Sequence, residues 1–276
     1  MANLTFDNYG KTRVRLTQVI RNGDQHEVVE LSAKILFRGK FADSYTKADN
    51  SMVLPTDTIK NTVYVVARKK PIRSVEEFSL DLAEHFLGTV AHLDTVKIEL
   101  HQSPWNRINN HGSAFVSAGL ERRVAMLSAS RTAQHLESGL HGLEILKTAK
   151  SAFSDYLVDE LTTIPPTRDR LFGTVMDADW SYREGKVDYN VEHARIKDVL
   201  LSAFADHVSE SVQHTLFDMA KAALAAAPVL REIHLVMPNK HRLLVDLSRF
   251  KLSNPNQLFV PTDEPSGYIE ARVTAE

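Results

Sequence analysis

The chain has 276 residues, 43% of them hydrophobic and 25% charged, with 33 basic residues against 35 acidic ones and a formal net charge of −2. That composition belongs to a globular protein with a substantial core, and the even charge balance argues against nucleic-acid binding as its main business. There is no cysteine, which removes disulfides, thiolate nucleophiles and cysteine-metal sites and is compatible with a reducing compartment. The opening MANLTFDNYGKTRVRL lacks the apolar core of a signal peptide. No run of about 18 apolar residues is present, and the final RVTAE is not a Ser-Lys-Leu peroxisomal address. The expected location is cytoplasmic.

Residues 12–20 and 27–37 alternate apolar and polar around the turn signal Asn22-Gly23-Asp24, which predicts an opening hairpin. In 56–67, TDTIKNTVYVVA, β-branched content argues for a strand. Ile59, Val63, Val66 and Ala67 follow helical spacing, and the helix is preferred, with Thr56 as N-cap and Asp57 in its first turn. Residues 74–90 predict an amphipathic helix capped by Ser74, with Phe78, Leu82 and Phe86 on one face. Strands are expected at 95–101 and 120–129. The second half repeats the order: strands at 140–147 and 172–182, helices at 192–208 and 211–226, strands at 231–237 and 240–247. The expected architecture is α+β, antiparallel sheet with helices on one face, in two domains, 1–133 and 134–276.

The usual chemical signatures are absent. There is no G-x-G-x-x-G, Walker loop, H-E-x-x-H or G-x-S-x-G. Twelve histidines invite a metal reading. His135 and His141 share a strand face by spacing, but no third ligand stands at a recognisable interval, so no metal is expected.

One row stands out. From Leu235 every second residue runs Leu, Met237, Asn239, His241, Leu243, Val245, Leu247, and on a strand these share a face. An amide and an imidazole interrupt an otherwise apolar row. Other polar clusters accompany it: YGK (9–11), SYTKADNSMVLPTDTIKN (44–61), GLEILKTAKSAF (142–153), TRDR (167–170), SVQ (211–213) and PNKH (238–241). Singly, each has a structural explanation: a solvated lysine, a helix cap, a core phenylalanine, a satisfied core histidine.

In this order, and with PTDEPSG (261–267) near the end, these blocks resemble urate oxidases (uricases) over nearly the whole chain. The resemblance implies tandem tunnelling-fold (T-fold) domains and a homotetramer whose sheets close a β-barrel tunnel. It also implies oxidation of urate by molecular oxygen to 5-hydroxyisourate and hydrogen peroxide with no metal or organic cofactor. By the same resemblance Phe153 stacks on the purine, Arg170 grips one edge, Gln213 reads the other, and Val212 lends its backbone N–H. Asn239 and His241 lie near oxygen and the proton relay. Lys11 and Thr56 form the proton-abstracting dyad, with Asp57 binding through its main chain, all three from an adjacent subunit. Ile164 stands where some relatives have leucine, as a backbone contact; Pro165-Pro166 departs from the family pattern. The physics agrees. An Arg fork takes a planar acceptor edge bidentately, a Gln amide offers donor and acceptor, and an aromatic face holds a flat ring. Another T-fold enzyme acting on a pterin, using clustered histidines and a metal, and a non-catalytic purine-binding relative are the alternatives.

Overall fold

The structure is a computed structural model that describes residues 2–275. The chain divides into two compact units, Met1–Gly139 and Leu140–Glu276. Each is α+β, with helices packed against antiparallel strands.

The first unit opens with β1 (Tyr9–Asn22) and β2 (Gln25–Gly39), paired antiparallel with Asn22 opposite Gln25. Gly23 sits at φ +59° in the two-residue turn, where a β-carbon is disfavoured. The predicted hairpin is thus present and longer at both ends. A short α1 (Ala42–Thr46), α2 (Thr56–Lys69) and α3 (Val75–Thr89) follow, then β3 (Leu93–Ser103), the small hairpin β4 (Trp105–Arg107) and β5 (Phe115–Ser117), and β6 (Arg122–Ala129). The sheet order is β1-β2-β3-β6. Period-two alternation buries Leu31, Ala33, Ile35 and Phe37 of β2 with Val96, Ile98 and Leu100 of β3. Onto that face α2 presents Ile59, Val63 and Val66, and α3 presents Phe78, Leu82 and Phe86, the rows that helical spacing predicts. Ser74 caps α3, its side chain accepting from the Glu77 N–H. Thr56, by contrast, is not a cap. The N-cap of α2 is Pro55, whose extended backbone (φ −54°, ψ 138°) leads into the helix, and Thr56 is its first helical residue. A proline has no N–H to leave unsatisfied at that point.

One charge in this core is fully buried. Glu76 of α3 takes Nη2 of Arg123 at 2.7 Å and Nε at 3.3 Å, and accepts from the Ser138 hydroxyl at 2.8 Å. Ser138 lies on β7 (Gln134–Lys147), the strand on which one unit gives way to the next.

In the second unit, residues Leu140 onward of β7 are followed by β8 (Phe172–Tyr182), α4 (Tyr189–Asp206), α5 (Val212–Ala226), β9 (Leu230–Val236), β10 (Asn239–Leu244), a 3-10 turn (Ser248–Phe250), β11 (Phe259–Gly267) and β12 (Glu270–Thr274). Met176, Ala178 and Trp180 of β8, with Ile233 and Leu235 of β9, pack against Ile196, Leu200 and Phe204 of α4 and Leu216, Met219 and Ala223 of α5. The row from Leu235 to Leu247 is not one strand. It breaks at Pro238, which cannot donate to a ladder, yet the register against β8 carries through. Val236 faces Asp177 and Lys240 faces Gly173. Leu235, Met237 and Asn239 are buried, but Leu243 is exposed, and Val245 has left the strand to donate its N–H to Leu258 O.

Arg123→Ala is expected to lower the unfolding free energy by about 3–5 kcal/mol, the scale for stranding a buried charge. Denaturant titration checks this; a loss under about 1 kcal/mol would mean that Ser138 suffices for Glu76.

Candidate active site

In the second unit, residues 148–171 join β7 to β8 without regular structure, and backbone hydrogen bonds fix their path. Ala152 N donates to Ser209 O at 2.7 Å and Ser209 N to Lys150 O at 2.9 Å. Phe153 and Thr167 exchange N–H···O bonds at 2.7 and 2.9 Å, and Arg170 N donates to Ser151 O at 2.9 Å. The first pair ties this segment to the residues leading into α5; the others draw Phe153 and Arg170 together.

The Arg170 guanidinium carbon lies 5.4 Å from the ring centre of Phe153 and 5.8 Å from that of Phe172. Its Nε and Nη2 are buried and have no hydrogen-bond partner among the described residues. Burial pushes this guanidinium below its ordinary pKa. Nε and Nη2 form the side-on fork of an arginine, the pair that takes two acceptors of one planar group. An unpartnered donor pair on a buried cation is costly, and a ligand edge with two acceptors would satisfy both. Phe153 is half-buried, and Tyr156 stacks on it with ring centres 4.8 Å apart and planes 19° from parallel.

The start of α5 lies beyond Ser209. Ser211, extended at φ −163°, caps the helix by accepting from the His214 N–H. Val212 and Gln213 are its first two helical residues, so their N–H groups precede the first intrahelical bond, from Thr215 N to Ser211 O. Val212 is buried and Gln213 is exposed. On β10, Asn239 is buried, His241 is half-buried, and the amide nitrogen and His241 Nδ1 are 3.5 Å apart. Lys240 between them faces Gly173, three residues past Arg170. Ile164 is 49% exposed and its carbonyl accepts from the Tyr156 hydroxyl at 2.5 Å.

The other expected residues gather in the first unit. Lys11 lies where the β1 register shifts before Val14 and Arg13 adopts φ +56°. Gly10 beside it is required, because a β-carbon there would stand 1.8 Å from Ile35 O. The Leu54 N–H donates to the Tyr9 hydroxyl at 3.0 Å, which fastens the entry of α2 to the start of β1. Thr56 and Asp57 are exposed. The Asp57 carboxylate binds Lys60 Nζ at 2.5 Å and Asn61 at 3.0 Å, and these bonds, helped by the charge of Lys11, hold it below its usual pKa. The carboxylate is thus engaged locally by Lys60 and Asn61.

The uricase family profile matches residues 7–128 and 136–270. The chain is 36% identical to a uricase from Dictyostelium discoideum over 99% of its own length and 98% of the relative's. It is 38% identical to one from Arthrobacter globiformis over 98% of this chain and 89% of that one. The chain belongs to the uricase family. The crystal structure of the Arthrobacter globiformis uricase superposes with a TM-score of 0.96, covering 100% of this chain and 96% of that chain. The fold is also that of the Bacillus sp. TB-90 urate oxidase mutant R298C, with a TM-score of 0.83 at 21% identity. His135 sits 3.5 Å from Glu137 and His141 2.7 Å from Asp179. Sequence reading missed Tyr156 and Phe172, the aromatics that position Phe153 and Arg170. An aromatic three residues after Phe153 was the available signal.

Tyr156→Phe keeps the stack but removes the bond to Ile164 O, which is worth about 0.5–1.5 kcal/mol. The 154–166 loop is expected to be cut faster in limited proteolysis while global unfolding barely moves. An unchanged cleavage rate would mean that this bond does not hold the loop.

Proposed function

We propose that the chain oxidises urate with molecular oxygen and water to 5-hydroxyisourate and hydrogen peroxide, two electrons passing from the purine to oxygen. The observation that carries the residue assignment is the buried, unpartnered Nε/Nη2 edge of Arg170 beside Phe153. Urate is flat, anionic and edged with acceptors, so it supplies what that fork lacks. Phe153 stacks on the purine, the Gln213 amide reads the opposite edge, and Val212 offers its N–H from the start of α5. Ile164 contacts the ligand through its backbone. A site of paired polar groups rejects purines that leave those groups unmatched.

Lys11 and Thr56 withdraw the proton, Thr56 passing it through its hydroxyl, while Asp57 binds through its main chain. Asn239 and His241 hold oxygen and relay protons on the other side. The electron-rich urate anion reduces oxygen directly, so neither metal nor organic cofactor takes part. The two units are tandem T-fold domains, and four chains close a barrel in which Lys11, Thr56 and Asp57 of one subunit complete the site of its neighbour. Two features support assembly. The expected residues divide between the two units, and the site loop exposes large apolar side chains, Leu157 at 93%, Val158 at 69% and Leu161 at 80%, which monomers seldom leave bare in a cluster.

Loss of urate absorbance on mixing the metal-stripped protein with urate under oxygen is the direct test. Activity is expected to survive exhaustive chelation. Activity lost and restored only by a metal would remove the cofactor-free mechanism.

Arg170→Lys keeps the charge and loses the planar fork. It is expected to weaken urate binding by about 1.5–3 kcal/mol, the scale for hydrogen bonds to charged groups, measured with a non-oxidisable urate analogue. Unchanged affinity would take Arg170 out of the site.

Subunit sharing is checked with Thr56→Ala and Arg170→Ala. Each alone is expected to be nearly inactive. Co-refolded in equal amounts, random assembly pairs an intact Thr56 with an intact Arg170 at about a quarter of the sites of a symmetric oligomer. Activity should return to about that fraction of wild type. Mixed oligomers as inactive as their parents would place each site within one chain.

A further inference from the structure

Outside the proposed urate site, the end of α4 and the first turns of α5 bring three metal-ligating side chains together. His207 Nδ1 stands 3.0 Å from Asp218 Oδ2, and His214 Nε2 stands 3.6 Å from the same oxygen. One ligand atom from each residue lies within 4.8 Å of the others. We propose that His207, His214 and Asp218 form a binding site for one divalent transition-metal ion of the zinc type, which pins the end of α4 to α5.

The geometry suits a small tetrahedral ion. Bonds of about 2.0–2.1 Å to nitrogen and oxygen give edges of about 3.3–3.4 Å between ligand atoms, and 3.0 and 3.6 Å bracket that value. Two imidazoles and one carboxylate are a donor set that zinc accepts, with a fourth position left for water. The sequence builds the site from two directions. His214 and Asp218 are four apart on α5 and so share a face. His207 is the C-cap of α4, fixed by its own N–H to Ala203 O. Its side chain is only 12% exposed, which sets the ring's position, while His214 and Asp218, at 50% and 38%, leave a path for the ion.

Among the described residues His207 Nε2 has no hydrogen-bond partner, and its Nδ1 faces the Asp218 carboxylate. The nearby charge of Lys147 opposes a cation, and those of Asp218 and Glu210 offset it. Lys147 is itself engaged, donating to the carbonyls of Phe204 and Ala205 at 3.1 Å each and to that of His207.

The test is calorimetric titration of tag-free, chelator-stripped protein with Zn²⁺. Wild type is expected to take up one ion per chain and to unfold at a higher temperature with zinc than without. His214→Ala and Asp218→Asn change an exposed and a half-buried helix position outside the core and should fold normally. Each should weaken zinc binding by at least about tenfold, since even an outer partner of a metal ligand is worth about 10–100-fold, and each should abolish the thermal shift. Wild type that binds zinc no better than the double variant overturns the site, as do single variants that bind like wild type.

Discussion

The Arg170 guanidinium is a cation taken largely out of water with two of its donors unused. Left alone, that arrangement costs several kcal/mol, and the surrounding structure both tolerates it and depends on it. The π-faces of Phe153 and Phe172 offset part of the lost hydration. The backbone of Arg170 is clamped to Ser151, and Ser151 bridges Ser209, so the point from which the fork projects is fixed relative to the start of α5. The remaining deficit can be met by a ligand with two coplanar acceptors. A ligand of that kind would relieve a penalty that the protein already carries by itself.

The same logic separates the two sets of site residues. Of those in the second unit, Val212 and Asn239 are buried and Phe153, Arg170 and His241 half-buried, while Gln213 and Ile164 are exposed. In the first unit Thr56 and Asp57 are exposed at the start of α2, and Lys11 sits at an irregularity of β1. A recognition surface gains from preorganisation. Lys11 and Thr56, proposed to handle the proton, would have to reach it and exchange with solvent, which suits the exposed start of α2, fastened to β1 by the Tyr9–Leu54 contact.

Most regular elements were legible in the sequence because one face of each is buried and one is not. Period two marks β2, and spacing four marks α3 with Phe78, Leu82 and Phe86. β11 escaped because Pro261 and Pro265 argue against a strand; it is set by pairing with β10, as the short β12 is by pairing with β9, both long-range facts. The helical reading of α2 held against its β-branched content, but its cap did not, since Pro55 supplies the extended turn expected of Thr56. The row through Asn239 and His241 is one line of register in two strands, because Pro238 removes a donor from the ladder without shifting the pairing to β8. Family resemblance, not periodicity, singled out Phe153 and Arg170. They lie in an irregular segment whose path is fixed by contacts with residue 209, far away in sequence and invisible to local pattern.

That irregular segment shows how a loop acquires the precision of a strand. Residues 148–171 have no ladder of their own, and a loop of that length would ordinarily be mobile. Here Ala152, Phe153 and Arg170 each spend a backbone N–H on a defined carbonyl, and Tyr156 folds back to stack on Phe153 and close on Ile164. The anchor at the far end is equally firm, because the Ser209 hydroxyl accepts from Thr215 at 2.8 Å within the first turn of α5. Aromatic platform, cationic fork and helix start thus share one hydrogen-bonded frame. A displacement of α5 would be felt at Arg170 through Ser209, whose hydroxyl is held by Thr215 and whose backbone is bonded to residues 150 and 152.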